Sequence, residues 1–247
     1  MKLGIIRKKI NKIDKQLTQL LKNRSLLIPK VKRIKKNWAY KIAFNREFSM
    51  AENINQQDFG LYPKTYMQKI WREIISATLY IECQLTIHIY NKNNNYELWE
   101  LAKDHFGSFS NLITHSKVED LFQYLAQRQT EAIILPYPNS QEQWWLHFLN
   151  PAYQDIRINL ELPYLQGIKT FTKAKGMCLS NNTKDTSALK FFIIKHHKPY
   201  NLSPNIELLD KTTKYLFVKT SLLKTELASY FNSNDITEVG STPVAIS

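Results

Sequence analysis

Apolar residues recur in alternating steps of three and four from the start of the chain: Leu3, Ile6, Ile10, Ile13, Leu17, Leu20, Arg24, Leu27, Val31, Ile34 and Trp38. This spacing predicts a long helix with one buried seam. Arg24 is the only charged member of the seam. A guanidinium among apolar neighbours is costly to bury unless an anion meets it. Pro29 cannot donate a hydrogen bond to Ser25 and is expected to kink the helix there.

Two more helices follow. Phe44, Glu47, Ala51 and Ile54 share one face of a second helix, again with one charge among apolar residues. The segment Asp58-Phe59-Gly60-Leu61-Tyr62-Pro63 ends it and starts the next, with Gly past a C-terminus and Pro near an N-terminus. A third helix is predicted from about Pro63 to Leu85, with Trp71, Ile75, Thr78, Glu82 and Leu85 along its inward stripe. Each helix therefore puts a charged or hydroxyl group where a core residue belongs. Either internal ion pairs or an anion site shared among the helices would satisfy them.

From Leu85 the period changes. Thr86–Tyr90 alternates as a strand does, and Asn91-Lys92-Asn93-Asn94-Asn95 reads as a turn. Tyr96–His105 and Val118–Arg128 read as helices. Ala132–Leu135, Ile156–Leu162, Lys190–Lys195 and Tyr215–Thr220 read as strands, with a helix near Leu222–Phe231. The pattern is α/β, and no internal repeat interrupts it.

Composition refines this picture. At 247 residues and 43% hydrophobic, the chain can form one large domain or two ordinary ones. No apolar run approaches the roughly 18 residues of a membrane span, and no continuous apolar segment near the N-terminus suggests a signal peptide. Cys83 and Cys178 lie far apart without metal-site spacing, and read as free thiols in a reducing cytoplasm. Residues 1–41 hold fourteen Lys or Arg against one acid, Asp14, a surplus equal to the whole formal net charge of +13. So basic a helix suits nucleic acid, an anionic membrane surface, plain solvent exposure or a small polyanion. The last explains Arg24 in the seam better than the others. No Gly-rich phosphate loop or Ser–His–Asp pattern appears, His196-His197 has no third ligand at metal spacing, and Trp144-Trp145 reads as packing.

Several spaced strings, in order, carry a family resemblance. Ile10-Asn11-Lys12-Ile13-Asp14 through Leu20-Leu21-Lys22-Asn23-Arg24, then Val31 to Lys35, Asn45-Arg46-Glu47 and Ile70-Trp71-Arg72-Glu73-Ile74-Ile75 resemble the all-helical class of chorismate mutase over roughly residues 3–85. The resemblance implies a three-helix domain intertwined in a homodimer. It implies that Arg24, with Arg7 of a second copy, holds the two carboxylates of chorismate. One straight helix separates these two arginines by roughly 25 Å, too far for one small ligand. Lys35 would hydrogen-bond the ether oxygen and a carboxylate, Glu47 the ring hydroxyl, and Arg46 would help organise the site. Ala43 stands where relatives have Asp, a contact that includes backbone N–H, and Thr78 keeps the hydroxyl of a common Ser. Glu82 stands where many relatives have Gln as second donor to the ether oxygen. A carboxylate cannot donate there, whereas a carboxylic acid can. The implied reaction, an intramolecular rearrangement to prephenate, needs no metal or cofactor.

In the second half, the run Val118 to Ser140, ending Leu135-Pro136-Tyr137-Pro138-Asn139-Ser140, resembles a lobe of prephenate dehydratase. That family's Thr-Arg-Phe motif has no counterpart; the nearest string is Leu189-Lys190-Phe191. Ile206-Glu207-Leu208-Leu209 before Tyr215-Leu216-Phe217 is similar to a phenylalanine-binding module whose Glu-Ser-Arg-Pro signature is not intact. The expected organisation is a helical mutase domain over 1–86 and an α/β dehydratase-like domain over 87–247, with a reduced regulatory segment from about 188. The expected protein is a cytoplasmic, homodimeric chorismate mutase without nucleic-acid or membrane partners. The alternatives are a bifunctional mutase and dehydratase, and a non-catalytic basic helical module that binds nucleic acid.

Overall fold

The structure is a computed structural model that describes residues 3–35, 42–92, 96–164, 173–181, 187–196 and 202–246. Trp38, the last position of the predicted seam, and His197 lie outside the described residues. Four helices come first: α1 (Leu3–Ser25), α2 (Ile28–Ile34), α3 (Phe44–Gln56) and α4 (Lys64–Cys83).

The single kinked helix expected around Pro29 is instead two helices. The Leu27 N–H reaches back only to the Arg24 carbonyl, at 3.1 Å, which tightens the turn. Pro29 falls in the first turn of α2, where its missing N–H leaves no bond unmade. Along α1 no residue is buried, and Leu3, Ile10, Ile13, Leu17 and Leu20 are each at least half exposed. α3 buries Phe44, Glu47, Ala51 and Ile54, the face its spacing predicts. α4 turns Gln68, Arg72, Ile75, Ser76 and Leu79 inward. It closes at Gln84 in the left-handed conformation, with φ of 49°.

The chain then builds a mixed sheet. In order come β1 (Thr86–Tyr90), α5 (Glu97–Phe106), β2 (Asn111–His115), α6 (Val118–Ala126), β3 (Ala132–Pro136), β4 (Arg157–Leu162), β5 (Gly176–Ser180), β6 (Leu189–Lys195), β7 (Ile206–Lys211), β8 (Tyr215–Thr220), α7 (Lys224–Leu227) and β9 (Ile236–Thr242). Nine strands form one sheet in the order β2-β1-β3-β5-β4-β9-β6-β8-β7. β1 runs parallel to both β2 and β3, with α5 and α6 as crossovers. Residues from 188 onward thus supply four strands of the same sheet.

Alternation along β3 shows how the two faces are covered. Ile133 and Leu135 pack with Leu121, Phe122 and Leu125 of α6 and with Trp144 and Trp145. Ala132 and Ile134 point the other way, into a core shared with Leu101 and Phe106 of α5, Phe44 and Ala51 of α3, and Ile75 and Leu79 of α4. The helical domain and the sheet therefore meet through continuous apolar packing.

Two close approaches fix the assembly. Gly107 has φ of 77°, and a Cβ there would lie 2.6 Å from the Ser76 Cβ. With that clearance the next two residues reach α4: Ser108 N–H and Oγ donate to Glu73, and Phe109 N–H donates to Ser76 Oγ at 3.1 Å. Gly240 lets β9 pair with β4 at Ile158, where a Cβ would lie 2.2 Å from the Ile158 carbonyl oxygen. Both Trp144 and Trp145 are buried, as their reading as packing residues expects.

Candidate active site

Four helices meet at a cavity of about 210 Å³. α1 ends at its rim with Arg24. α2 follows with Ile28, Val31 and, at its C-terminal cap, Lys35. α3 enters by its first turn, with Ala43, Arg46 and Glu47, and α4 contributes Ile75, Thr78, Leu79 and Glu82. Of the eight residues singled out in the sequence, seven line this one cavity: Arg24, Lys35, Ala43, Arg46, Glu47, Thr78 and Glu82. Arg7 is not among them; it lies on the exposed surface of α1.

The break at Leu26-Leu27 gives the two ends of the predicted seam different roles. Its later members, Leu27 and Val31, line the cavity beside Arg24, while its earlier ones face solvent.

Arg24 donates from Nη1 to the Thr78 hydroxyl oxygen, and the Thr78 hydroxyl donates in turn to the Ile74 carbonyl at 2.7 Å. Thr78 is therefore oriented as an acceptor. Among the described residues no carboxylate stands within ion-pair distance of Arg24 or Arg46. Burial and the neighbouring Arg46 hold the Arg24 guanidinium below its ordinary value, with Glu82 acting the other way. Lys35 and Glu82 face each other at 3.1 Å, both largely buried.

Behind the cavity, Glu47 is held by a residue the sequence reading passed over. Arg72 Nη1 donates to Glu47 Oε2 at 2.7 Å, and its Nη2 donates to the Tyr164 hydroxyl. Burial opposes the charge on Arg72, yet Tyr164 and Glu47 outweigh it and hold the guanidinium above its ordinary value. The reasoning that singled out Arg24 could have found Arg72, because Gln68, Arg72, Ile75 and Leu79 also follow helical steps with one charge among them. Tyr164 sits beyond β4, and no local spacing connects it to α4.

With the charge on Glu47 answered from behind and Lys35 opposite Glu82, the remaining positive groups in the wall are Arg24 and Arg46. The first turn of α3 adds the positive end of a helix dipole. Such a site suits a small polyanion with hydroxyl or ether oxygens.

Residues 6–82 match the family model of type II chorismate mutase. The chain carries a chorismate mutase domain. The chain is also 26% identical over 142 residues to a bifunctional chorismate mutase/prephenate dehydratase of Aquifex aeolicus, covering 56% of this chain and 39% of that one. The corresponding enzyme of Neisseria gonorrhoeae is 25% identical over 136 residues, covering 55% and 37%. The chain thus spans less than half the length of these curated relatives. Among solved structures it is similar to the prephenate dehydratase of Staphylococcus aureus, with 10% identity, a TM-score of 0.43 and coverage of 64% of this chain and all of that one. A helical chorismate mutase domain is followed by a mixed α/β domain.

Proposed function

We propose that the chain rearranges chorismate to prephenate in this cavity. The observation that supports this most is the gathering of Arg24, Lys35 and Arg46 with Glu47, Thr78 and Glu82 around one space at the end of α1. Chorismate carries two carboxylates, and the two arginines with no carboxylate partner among the described residues suit them, because their forks are bidentate and permanently charged.

The reaction forms a C–C bond as a C–O bond breaks within one molecule. The protein contributes by holding the reactive conformer and by placing donors where the ether oxygen gains negative charge. Lys35 donates to that oxygen, and Glu82 does so in its acid form. Glu47 accepts from the ring hydroxyl, Thr78 and the backbone at Ala43 complete the polar wall, and Arg46 helps hold a carboxylate. On this reading the boundary falls near residue 86, and 87–247 form the dehydratase-like domain.

Arg7 enters from a second copy. The apolar side chains along α1 support that reading: they are exposed here, and covering each is worth about 1.5–3 kcal/mol. Two copies pairing along α1 would bury them and bring one copy's Arg7 toward the other's cavity. The proposal includes no nucleic acid or membrane partner. Among the described residues no helix is long and apolar enough to cross a membrane.

The relatives are named as bifunctional, but dehydratase activity is not expected here. Leu189-Lys190-Phe191 keeps neither the Thr nor the Arg of the dehydratase motif, and Lys190 pairs with Glu238 at 3.2 Å. Incubating purified protein with chorismate, and following prephenate and then phenylpyruvate, tests both parts. Prephenate alone is the expected product. Its absence would sink the mutase reading, and phenylpyruvate formed without added acid would restore the bifunctional one.

A further inference from the structure

We infer that the sheet domain takes part in the mutase site: Tyr164 is a positioning residue that fixes Glu47 through Arg72. This rests on the mutase reading of the cavity.

Glu47 has two oxygens in two settings. Oε2 is taken by Arg72 at 2.7 Å. Oε1 accepts from no described group, and Glu47 is part of the cavity wall. One oxygen is thus anchored from behind while the other is left for a ligand hydroxyl. The direction of that second oxygen depends on where Arg72 sits, and Arg72 is steered by Tyr164.

Tyr164 is itself held by several elements. It is 3% exposed. Its ring packs against Phe48 of α3 at 5.8 Å between centroids, and against the edge of His105 of α5 at 5.3 Å. Its carbonyl accepts from the Ile246 N–H at 2.9 Å, tying it to the chain beyond β9. The hydroxyl therefore has a fixed address in the sheet domain, and the guanidinium fork has one arm on it and the other on Glu47. Holding a functional group through a packed supporting shell is how a site keeps sub-ångström geometry. The helices supply Glu47 and Arg72, but the third member of the chain comes from outside them.

Three variants of the full-length protein test this, with kcat and KM measured for chorismate and circular dichroism recorded on each. Tyr164→Phe keeps the ring and removes only the hydroxyl. It is expected to lower kcat about tenfold with little change in KM, a partial form of the roughly 10²-fold that a 1 Å misplacement can cost. Arg72→Lys keeps the charge on Glu47 but cannot span both partners. It should reproduce the loss, and adding Tyr164→Phe to it should change nothing further. In a Glu47→Ala background, Tyr164→Phe should alter kcat less than twofold, because nothing is left to position. An equal loss in that background would make Tyr164 merely structural and overturn the inference, as would unchanged kinetics for Tyr164→Phe in an active enzyme. A wild-type protein that forms no prephenate overturns the mutase reading as well, and the wild-type assay separates that outcome from the others. Should Tyr164→Phe fail to fold, Arg72→Lys alone carries the test: unchanged kcat in that variant overturns the inference.

Discussion

Arg24 and Arg72 sit on opposite sides of the same helical wall, each the one charged member of its stripe. Behind the wall Arg72 meets a carboxylate and a phenol from its own chain, and its charged form is favoured. In front, among the described residues, Arg24 meets only the Thr78 hydroxyl, and its charge is disfavoured. The same residue type in the same kind of position is internally satisfied in one region and incompletely satisfied in the other. A buried arginine is thus a question about what answers it. Where the chain supplies the answer, the residue holds structure. Where it does not, the residue marks the place for a ligand.

The contrast can be broken from either side. Arg72→Ala should have the largest effect on stability, because it strands Glu47 as a buried carboxylate without its partner. Removing one member of a buried pair costs about 3–5 kcal/mol, measurable as a shift of the denaturant midpoint. Arg24→Ala should do the opposite, leaving the fold and the oligomeric state intact. It should lower kcat/KM by roughly 10²–10³, the usual cost of removing one charge-stabilising donor. Loss of helical circular dichroism in that variant would show that Arg24 belongs with Arg72.

Glu82 sharpens the comparison on the front side. Only its acid form donates a hydrogen bond, and Glu82→Gln puts a permanent donor at the same place, so that variant should keep or raise kcat while Glu82→Ala lowers it about 10²-fold. Unchanged kcat in Glu82→Ala would remove Glu82 from the ether oxygen.

The smallest effect concerns the rear wall. Burial, and secondarily Arg72, push His105 well below its ordinary value, so it is neutral in the folded protein. The unfolded chain takes up a proton near pH 6.5 that the folded chain refuses. Stability contributed by the neutral form is therefore present above about pH 6.5 and lost progressively below it. His105→Phe should reduce the slope of melting temperature against pH between neutral and acid. An unchanged slope would place the acid sensitivity in other groups.

Much of this contrast was legible in the sequence, and the part that was not has a physical reason. Helical spacing located Arg24, Glu47, Thr78 and Glu82, because residues three, four or seven apart share a face wherever the helix goes. The same spacing did not foresee that Pro29 would restart the helix, since a proline in a first turn and one in a helix interior look alike in one dimension. β6 and β8 are continuous apolar runs and stand out. β2 was missed because it is an edge strand whose residues are mostly exposed, so no alternation marks it. β9 was missed because Gly240, required by its approach to Ile158, breaks the run. Tyr164 was out of reach for a deeper reason. It lies 92 positions from Arg72 along the chain, and only the folded sheet brings them together.

The apolar packing shared by α3, α4, α5 and the central strands has a thermodynamic consequence. Ile75 and Leu79 lie in the same cluster as Ile87, Ile134 and Leu160, so neither part can open without exposing the other. Heating should then melt the helical and sheet parts together, in a single cooperative transition rather than two. Cutting the chain after Cys83 would release a helical fragment with an apolar face uncovered. The helical part and the sheet part should unfold as one body.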